Sequence, residues 1–196
     1  SARHGVLRGQ VDLSATAITV VLAIGIITMI MGAWIASTQD EIKKSLAGST
    51  MSQIGYMFVG AGLGPAGYVF AIFHLLMHGM FKANLFLSAG SVMHGMNDQK
   101  NMRLYGALRV ALKVTMVAFI CGFLGISGLP PFDSWFSKDG IIDAALGVNL
   151  FAGICALAVA GMTAFYMTRM LAMTFFGDER WEEGTHPHES PPVMTI

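Results

Sequence analysis

Charged residues fall in clusters along this chain, separated by long apolar runs. Residues 15–36, 45–81, 114–132 and 144–168 contain no Asp, Glu, Lys or Arg. A bilayer core takes about 20 apolar residues per helix, so each run predicts at least one membrane helix. The second run is too long for one span, and GAGLGPAG at residues 60–67 divides it with glycine and proline. Within the next long helix, Gly128, Pro130 and Pro131 predict a break, because proline removes a backbone donor and clashes with the preceding turn. The pattern predicts an all-α integral membrane protein with five transmembrane helices. They are expected at about 15–37, 43–62, 67–95, 111–147 (broken near 128–132) and 148–176. Residues 1–14 are expected as an external loop and 177–196 as a cytoplasmic loop.

Composition sharpens that picture. Of 196 residues, 54% are hydrophobic and 12% charged, against roughly 25% charged in an average soluble domain. Net charge is zero at pH 7 and no basic patch stands out, which argues against a nucleic-acid partner. Lipid is the expected solvent. One side of the bilayer would carry Lys43, Lys44, Lys100, Arg103, Arg109, Lys113 and Arg180, and the other only Arg3 and Arg8. The positive-inside bias then puts the N-terminus outside and the C-terminal tail in the cytoplasm. The first residue is Ser, and SPPVMTI at the end starts a new apolar run, so a piece of a longer membrane protein is expected. Cys121 and Cys155 lie in apolar helices without metal spacing and are expected to be buried, inert thiols.

Candidate chemistry sits where charge is least expected. The apolar stretch FHLLMHGMFKANLF holds His74, His78 and Lys82 at four-residue spacing, one stripe on one helix face. A lysine at mid-membrane costs about 2.5–3.5 kcal/mol on insertion scales, and Lys82 lies too deep in its span to snorkel. Histidine titrates near neutral pH. Three such groups about 6 Å apart along the axis suit the passage of a proton. The plainer readings are hydrogen-bonded structural histidines or a His-x3-His metal pair, although no acidic or cysteine ligand lies nearby. Haem ligation would need an opposing histidine, and His4 and His94 both lie near helix ends.

The second candidate is GISGLPPFDSWFSKDGII, where the predicted break precedes Asp133, Lys138 and Asp139. Broken membrane helices expose backbone only where they line a cavity or are packed by protein, and they commonly mark ion or substrate sites. The alternative is a polar outer loop carrying Lys138 and Asp139. Lys43 and Lys44 in TQDEIKKSL fit a solvated boundary cluster, and His186 and His188 fit an exposed tail.

LAGSTMSQIGYMF, AIFHLLMHGMFKANLFLSAGSVMHG and GLPPFDSWFSKDGII together resemble the antiporter-like L subunit of bacterial respiratory complex I, which is related to the large subunit of Mrp-type sodium/proton antiporters. The resemblance covers residues 15–176. It implies a fourteen-helix fold with two inverted five-helix repeats, of which this chain matches the second. It also implies roles: Lys82 with His74 and His78 as a central proton relay, and Lys138 as the terminal lysine releasing protons outward. Asp139 would ease that lysine's charge, and Lys43 would join the first half-channel to the axis. Ser49, Thr50, Ser52 and Gln53 would supply hydroxyl and amide groups near it. Two departures stand out: Gly48 where the family usually has tyrosine, and Gly140 where it often has glutamate.

The implied function is proton translocation as a subunit of NADH:quinone oxidoreductase, driven by redox chemistry in other subunits. No motif for flavin, iron–sulfur cluster or quinone occurs in this chain. The resemblance places NADH, FMN, iron–sulfur clusters and quinone in the parent complex. Its expected partners are other membrane subunits, especially the neighbouring antiporter-like subunit, within the bacterial inner membrane. The alternatives are an Mrp-type sodium/proton antiporter subunit and a purely structural packing role, to which Gly153, Ala156, Ala160, Gly161 and Ala164 would lend close contact.

Overall fold

The computed structural model describes residues 2–130, 132–181 and 185–189, with the side chains of these residues apart from 2–15 and Asp133. Pro131, the side chains of Arg3, His4, Arg8 and Asp133, and tail residues 182–184 and 190–196 lie outside the described residues.

Six α-helices occur among the described residues: α1 (Ala2–Thr38), α2 (Ile42–Gly62), α3 (Pro65–Gly95), α4 (Lys113–Ser127), α5 (Asp133–Val148) and α6 (Leu150–Phe175). The backbone of α1 is already helical at Ala2, where a loop was expected to run to residue 14. The first thirteen residues contain no proline to stop the apolar helix from extending backward. Thr16–Thr38, Pro65–Gly95 and Leu150–Phe175 are long and apolar enough to cross a membrane, three spans rather than five by that measure. The shortfall has a physical reason in each case. Helix α2 is rich in serine and glutamine, which it buries. Helices α4 and α5 have 15 and 16 residues, about 23 Å each, and only together approach the roughly 30 Å hydrocarbon core.

The break between α4 and α5 is built by glycine and proline. Gly128 adopts φ +71° and closes α4, its N–H donating to the Gly125 carbonyl at 3.2 Å while Leu129 N–H reaches the Leu124 carbonyl at 3.4 Å. This is the wrap that a left-handed residue permits at a helix end. Pro130 follows and cannot extend α4. The next helix starts cleanly too: the Asn149 side chain accepts from Ala152 N–H at 3.1 Å and caps α6.

Helices α1 and α2 pack backbone to backbone. Their glycines fall at seven-residue intervals, Gly25 and Gly32 on one helix, Gly48, Gly55 and Gly62 on the other. A Cβ on Gly25 would lie 2.7 Å from Val59 N, and one on Gly62 would lie 2.6 Å from Leu22 Cα. Only glycine allows that approach. Gly48 faces Ala36 in the same seam. Helix α6 lies against α1, α4 and α5, and α3 against α2, α4 and α5, so α2, α3, α5 and α6 enclose a common interior.

The molecule places polarity inside. Ile27, Trp34, Val69, Leu76, Leu87, Leu150 and Phe165 are exposed, while serines, Gln53, two histidines and two lysines are buried. Cys121 is exposed and Cys155 half-buried, correcting the expectation that both thiols are buried. In α6, Gly153 and Ala156 do pack, but Gly161 and Ala164 face outward.

One end of the bundle is tied by charge. Arg169 of α6 donates to the Gln39 carbonyl at 2.9 Å and to Asp40 Oδ1 at 2.6 Å, and Arg103 donates to Asp40 Oδ2 at 2.8 Å. The Arg103 hydrogen bond holds the Asp40 carboxyl below the usual carboxylate range, with Arg169 adding to it and partial burial opposing. At the same end, the Trp181 indole donates to the Gly106 carbonyl at 2.8 Å. Glu189 accepts from Val114 N–H at 3.0 Å, capping α4 from the tail; His186 and His188 are exposed as expected.

Candidate functional site

The interior holds a row of titratable side chains. Three come from the stripe on α3: His74 (fully buried), His78 and Lys82. The fourth, Lys138, comes from α5, beyond the break. The i, i+4 spacing puts His74, His78 and Lys82 on the α3 face turned toward α2 and α5. The break turns α5 so that Lys138 enters the same interior.

Each group has defined surroundings. His74 Nε2 lies 3.0 Å from Gln53 Oε1 on α2, and its Nδ1 lies 2.9 Å from Ser137 Oγ on α5. The His78 ring is 6.3 Å from that of His74 and packs edge-on to Phe81 at 5.6 Å. Its Nε2 is buried with no hydrogen-bond partner among the described residues. Lys82 Nζ donates to the Leu46 carbonyl at 3.0 Å and lies 5.9 Å from the Phe86 ring. Lys138 Nζ sits 5.1 Å over the Tyr56 ring and 3.4 Å from the Ile126 carbonyl. That carbonyl belongs to the last turn of α4, whose unpaired C=O groups and negative dipole end favour a cation.

Hydroxyl and amide groups fill the spaces between. Ser49 Oγ and Tyr166 Oη are 2.8 Å apart, Ser52 donates to the Met29 carbonyl at 3.0 Å, and Tyr56 Oη donates to the Ala156 carbonyl. Gln53 Nε2 and Ser134 Oγ are buried without a partner among the described residues. Buried polar atoms in this position are ordinarily served by ordered water. Beside Ser134, a cavity of about 240 Å³ opens between α3, α4 and α5, lined by Met77, Phe81, Asn84, Gly122 and Phe132. Among the described residues no aspartate or glutamate is buried, and no three His, Cys, Asp or Glu side chains gather as a metal site.

The structure thus brings together His74, His78, Lys82 and Lys138, with Ser49 and Gln53 of α2, while Ser52 turns to the Met29 carbonyl in the seam with α1. It does not bring in Asp139 or Lys43. Asp139 is exposed and forms no ion pair with Lys138 among the described residues, since successive helix positions point about 100° apart. Lys43 is exposed in the first turn of α2, beside the Lys44–Glu41 pair at 2.8 Å. Ser137, Tyr56 and Tyr166 are members that sequence reasoning missed. Ser137 alone had a signal, its place next to Lys138.

Comparison with known proteins follows the same outline. The family described as NADH:quinone oxidoreductase/Mrp antiporter, TM matches residues 5–164. The chain is 55% identical over 188 residues to NADH-quinone oxidoreductase subunit L of Mycobacterium tuberculosis, covering 94% of this chain and 30% of that protein. It is 44% identical over 208 residues to NAD(P)H-quinone oxidoreductase chain 5 of a Picosynechococcus species, covering 92% and 31%. Among solved structures, a chain of the Mrp complex from Dietzia sp. DQ12-45-1b superposes with a TM-score of 0.79 at 29% identity, covering 93% of this chain and 35% of that one. The chain thus spans under a third of the length of these curated relatives. With the family match extending over most of its residues and the antiporter-like helical fold shared, the chain belongs to the NADH:quinone oxidoreductase/Mrp antiporter transmembrane family.

Proposed function

We propose that this chain is the proton-relaying second repeat of subunit L of a bacterial NADH:quinone oxidoreductase. Five membrane-crossing units, counting α4 and α5 as one broken span, would form one of two inverted repeats in a fourteen-helix subunit. The observation that carries the reading is the buried row itself: four titratable side chains on two helices, bridged by hydroxyl and amide groups, with no buried carboxylate among the described residues to hold them permanently charged. A structural histidine needs no buried lysine four residues away. Identity supports the L-subunit reading over the Mrp one, at 55% against 29%, though the Mrp fold is shared.

In this reading a proton moves along Lys82, His78 and His74 and leaves by Lys138, which releases it outward. Redox chemistry in other subunits, where NADH, FMN, iron–sulfur clusters and quinone would be held, supplies the energy by shifting the field along the row. Residues 1–14 would face outside and residues 177–196 the cytoplasm of an inner-membrane protein, docked to a neighbouring antiporter-like subunit. Asp139 and Lys43 would act at the two ends of the path from exposed positions.

The test is NADH-driven acidification of inverted membrane vesicles, followed by dye quenching, with the assembled complex carrying Lys82→Ala or Lys138→Ala. Loss of the gradient with the complex intact is the expected result. An unchanged gradient overturns the relay, and sodium-stimulated proton flux without NADH would establish the antiporter reading instead.

A further inference from the structure

His74 differs from the other members of the row in having both ring nitrogens engaged. Gln53 Oε1, 3.0 Å from Nε2, can only accept, so Nε2 carries a proton. Nδ1, 2.9 Å from Ser137 Oγ, is then the nitrogen that gains or loses one. The Ser137 hydroxyl serves both conditions. Turned toward the ring, it donates to the Nδ1 lone pair. Turned toward the Ser134 carbonyl, 3.2 Å away, it offers its oxygen to Nδ1–H. One hydroxyl rotation therefore satisfies His74 as the neutral ring or as the imidazolium. The Gln53 amide also has two settings. Turning the carboxamide over presents its N–H₂ to the ring and reverses which ring nitrogen is protonated.

Resting on the proton-relay reading above, we infer that Gln53 is a positioning residue that latches His74 toward α5. It occupies Nε2 and leaves Nδ1, through Ser137, as the exchangeable face. The amide oxygen is too weak a base to accept the proton itself. A proton arriving from His78, whose ring lies 6.3 Å away, can enter His74 at Nε2 only after Gln53 lets go. A relay that must unlatch between His78 and His74 moves protons one at a time and resists back-flow from the Lys138 end. The charged and titratable groups around this node are His78 and Lys82 on α3, Lys138 on α5, Tyr56 on α2 and Tyr166 on α6.

The experiment uses inverted vesicles holding the whole complex. It measures NADH-driven acidification per assembled complex from pH 6 to 8 for wild type, Lys82→Ala, Gln53→Leu and the near-isosteric Gln53→Glu. Without the latch, back-flow should lower net acidification in Gln53→Leu about fivefold, and the charge-assisted pair in Gln53→Glu, which holds the latch shut, should lower it about tenfold or more. The two pH profiles should move in opposite directions. The glutamate variant moves to higher pH, because its carboxylate retains the imidazolium, and the leucine variant moves to lower pH. Loss of acidification in Lys82→Ala together with wild-type rate and profile in either Gln53 variant overturns the latch alone. Reduced rates with an unmoved profile in both variants also overturn it, because that is what a merely structural glutamine gives. Normal acidification in Lys82→Ala overturns the relay reading and the latch with it.

Discussion

Replacing Lys82 with methionine should make the protein more stable and inactive. Lys82 is 5% exposed, and among the described residues its ammonium has one hydrogen bond, to the Leu46 carbonyl at 3.0 Å. A lysine at mid-membrane costs about 2.5–3.5 kcal/mol on insertion scales, and a hydrogen bond from a charged donor returns about 1.5 kcal/mol. The Leu46 carbonyl is not orphaned by the change, because the Thr50 hydroxyl also donates to it at 3.0 Å. Methionine fills a similar volume without a polar head. The balance is a gain of about 1–2 kcal/mol, a factor of roughly 5–30 in the folded-to-unfolded ratio. Thermal unfolding of the purified complex should therefore shift upward while NADH-driven acidification disappears. A lower melting temperature would show that Lys82 is paired in the assembled protein, and the desolvation argument would fall. Acidification at the wild-type rate would remove Lys82 from the path altogether.

Other consequences are equally direct. Gly25→Val drives a branched side chain into Val59 N, 2.7 Å from the position of a Cβ. It should cost at least about 1–3 kcal/mol by overpacking, read as loss of assembled complex on native gels, and a wild-type yield would contradict the seam. Gly128→Ala places a Cβ at φ +71° and should cost about 1–2 kcal/mol, measured by thermal unfolding; an unchanged transition would contradict the left-handed cap. Asp40 has a folded-state pKa below its ordinary value. Its contribution to stability is therefore full above about pH 4 and is lost as pH falls through the folded-state value. Asp40→Asn should flatten that acid limb of a stability–pH curve, and an identical limb in the variant would contradict the assignment.

Much of the site was legible because charge in a greasy chain is self-announcing. His74, His78 and Lys82 stand at helical spacing in an otherwise apolar run, and periodicity alone puts them on one face. The break was legible from Gly128 and Pro130, whose backbone limits act locally. Hydroxyls were harder to read. Ser137, Tyr56 and Tyr166 carry no charge, and their part depends on which helix faces which, a long-range property: Ser49 meets Tyr166 across 117 positions in sequence. The expected five spans came out as three by length and hydropathy for a related reason. Helix α2 carries buried serines and Gln53, which keep it below the hydropathy of a span. Asp139 shows the limit of adjacency as evidence, since the residue next to a buried lysine on a helix points elsewhere. The acid-tied end, where Arg169 meets Asp40, had no local signature at all.

The glycine seam between α1 and α2 bears on where motion can occur. Backbone meets backbone at five positions spaced by sevens, so sliding one helix along the other by a residue would drive side chains into main chain. The pair is therefore a stator. Ser49 and Gln53 are mounted on its inner side, so any ring on α3 or hydroxyl on α5 that turns must turn against them.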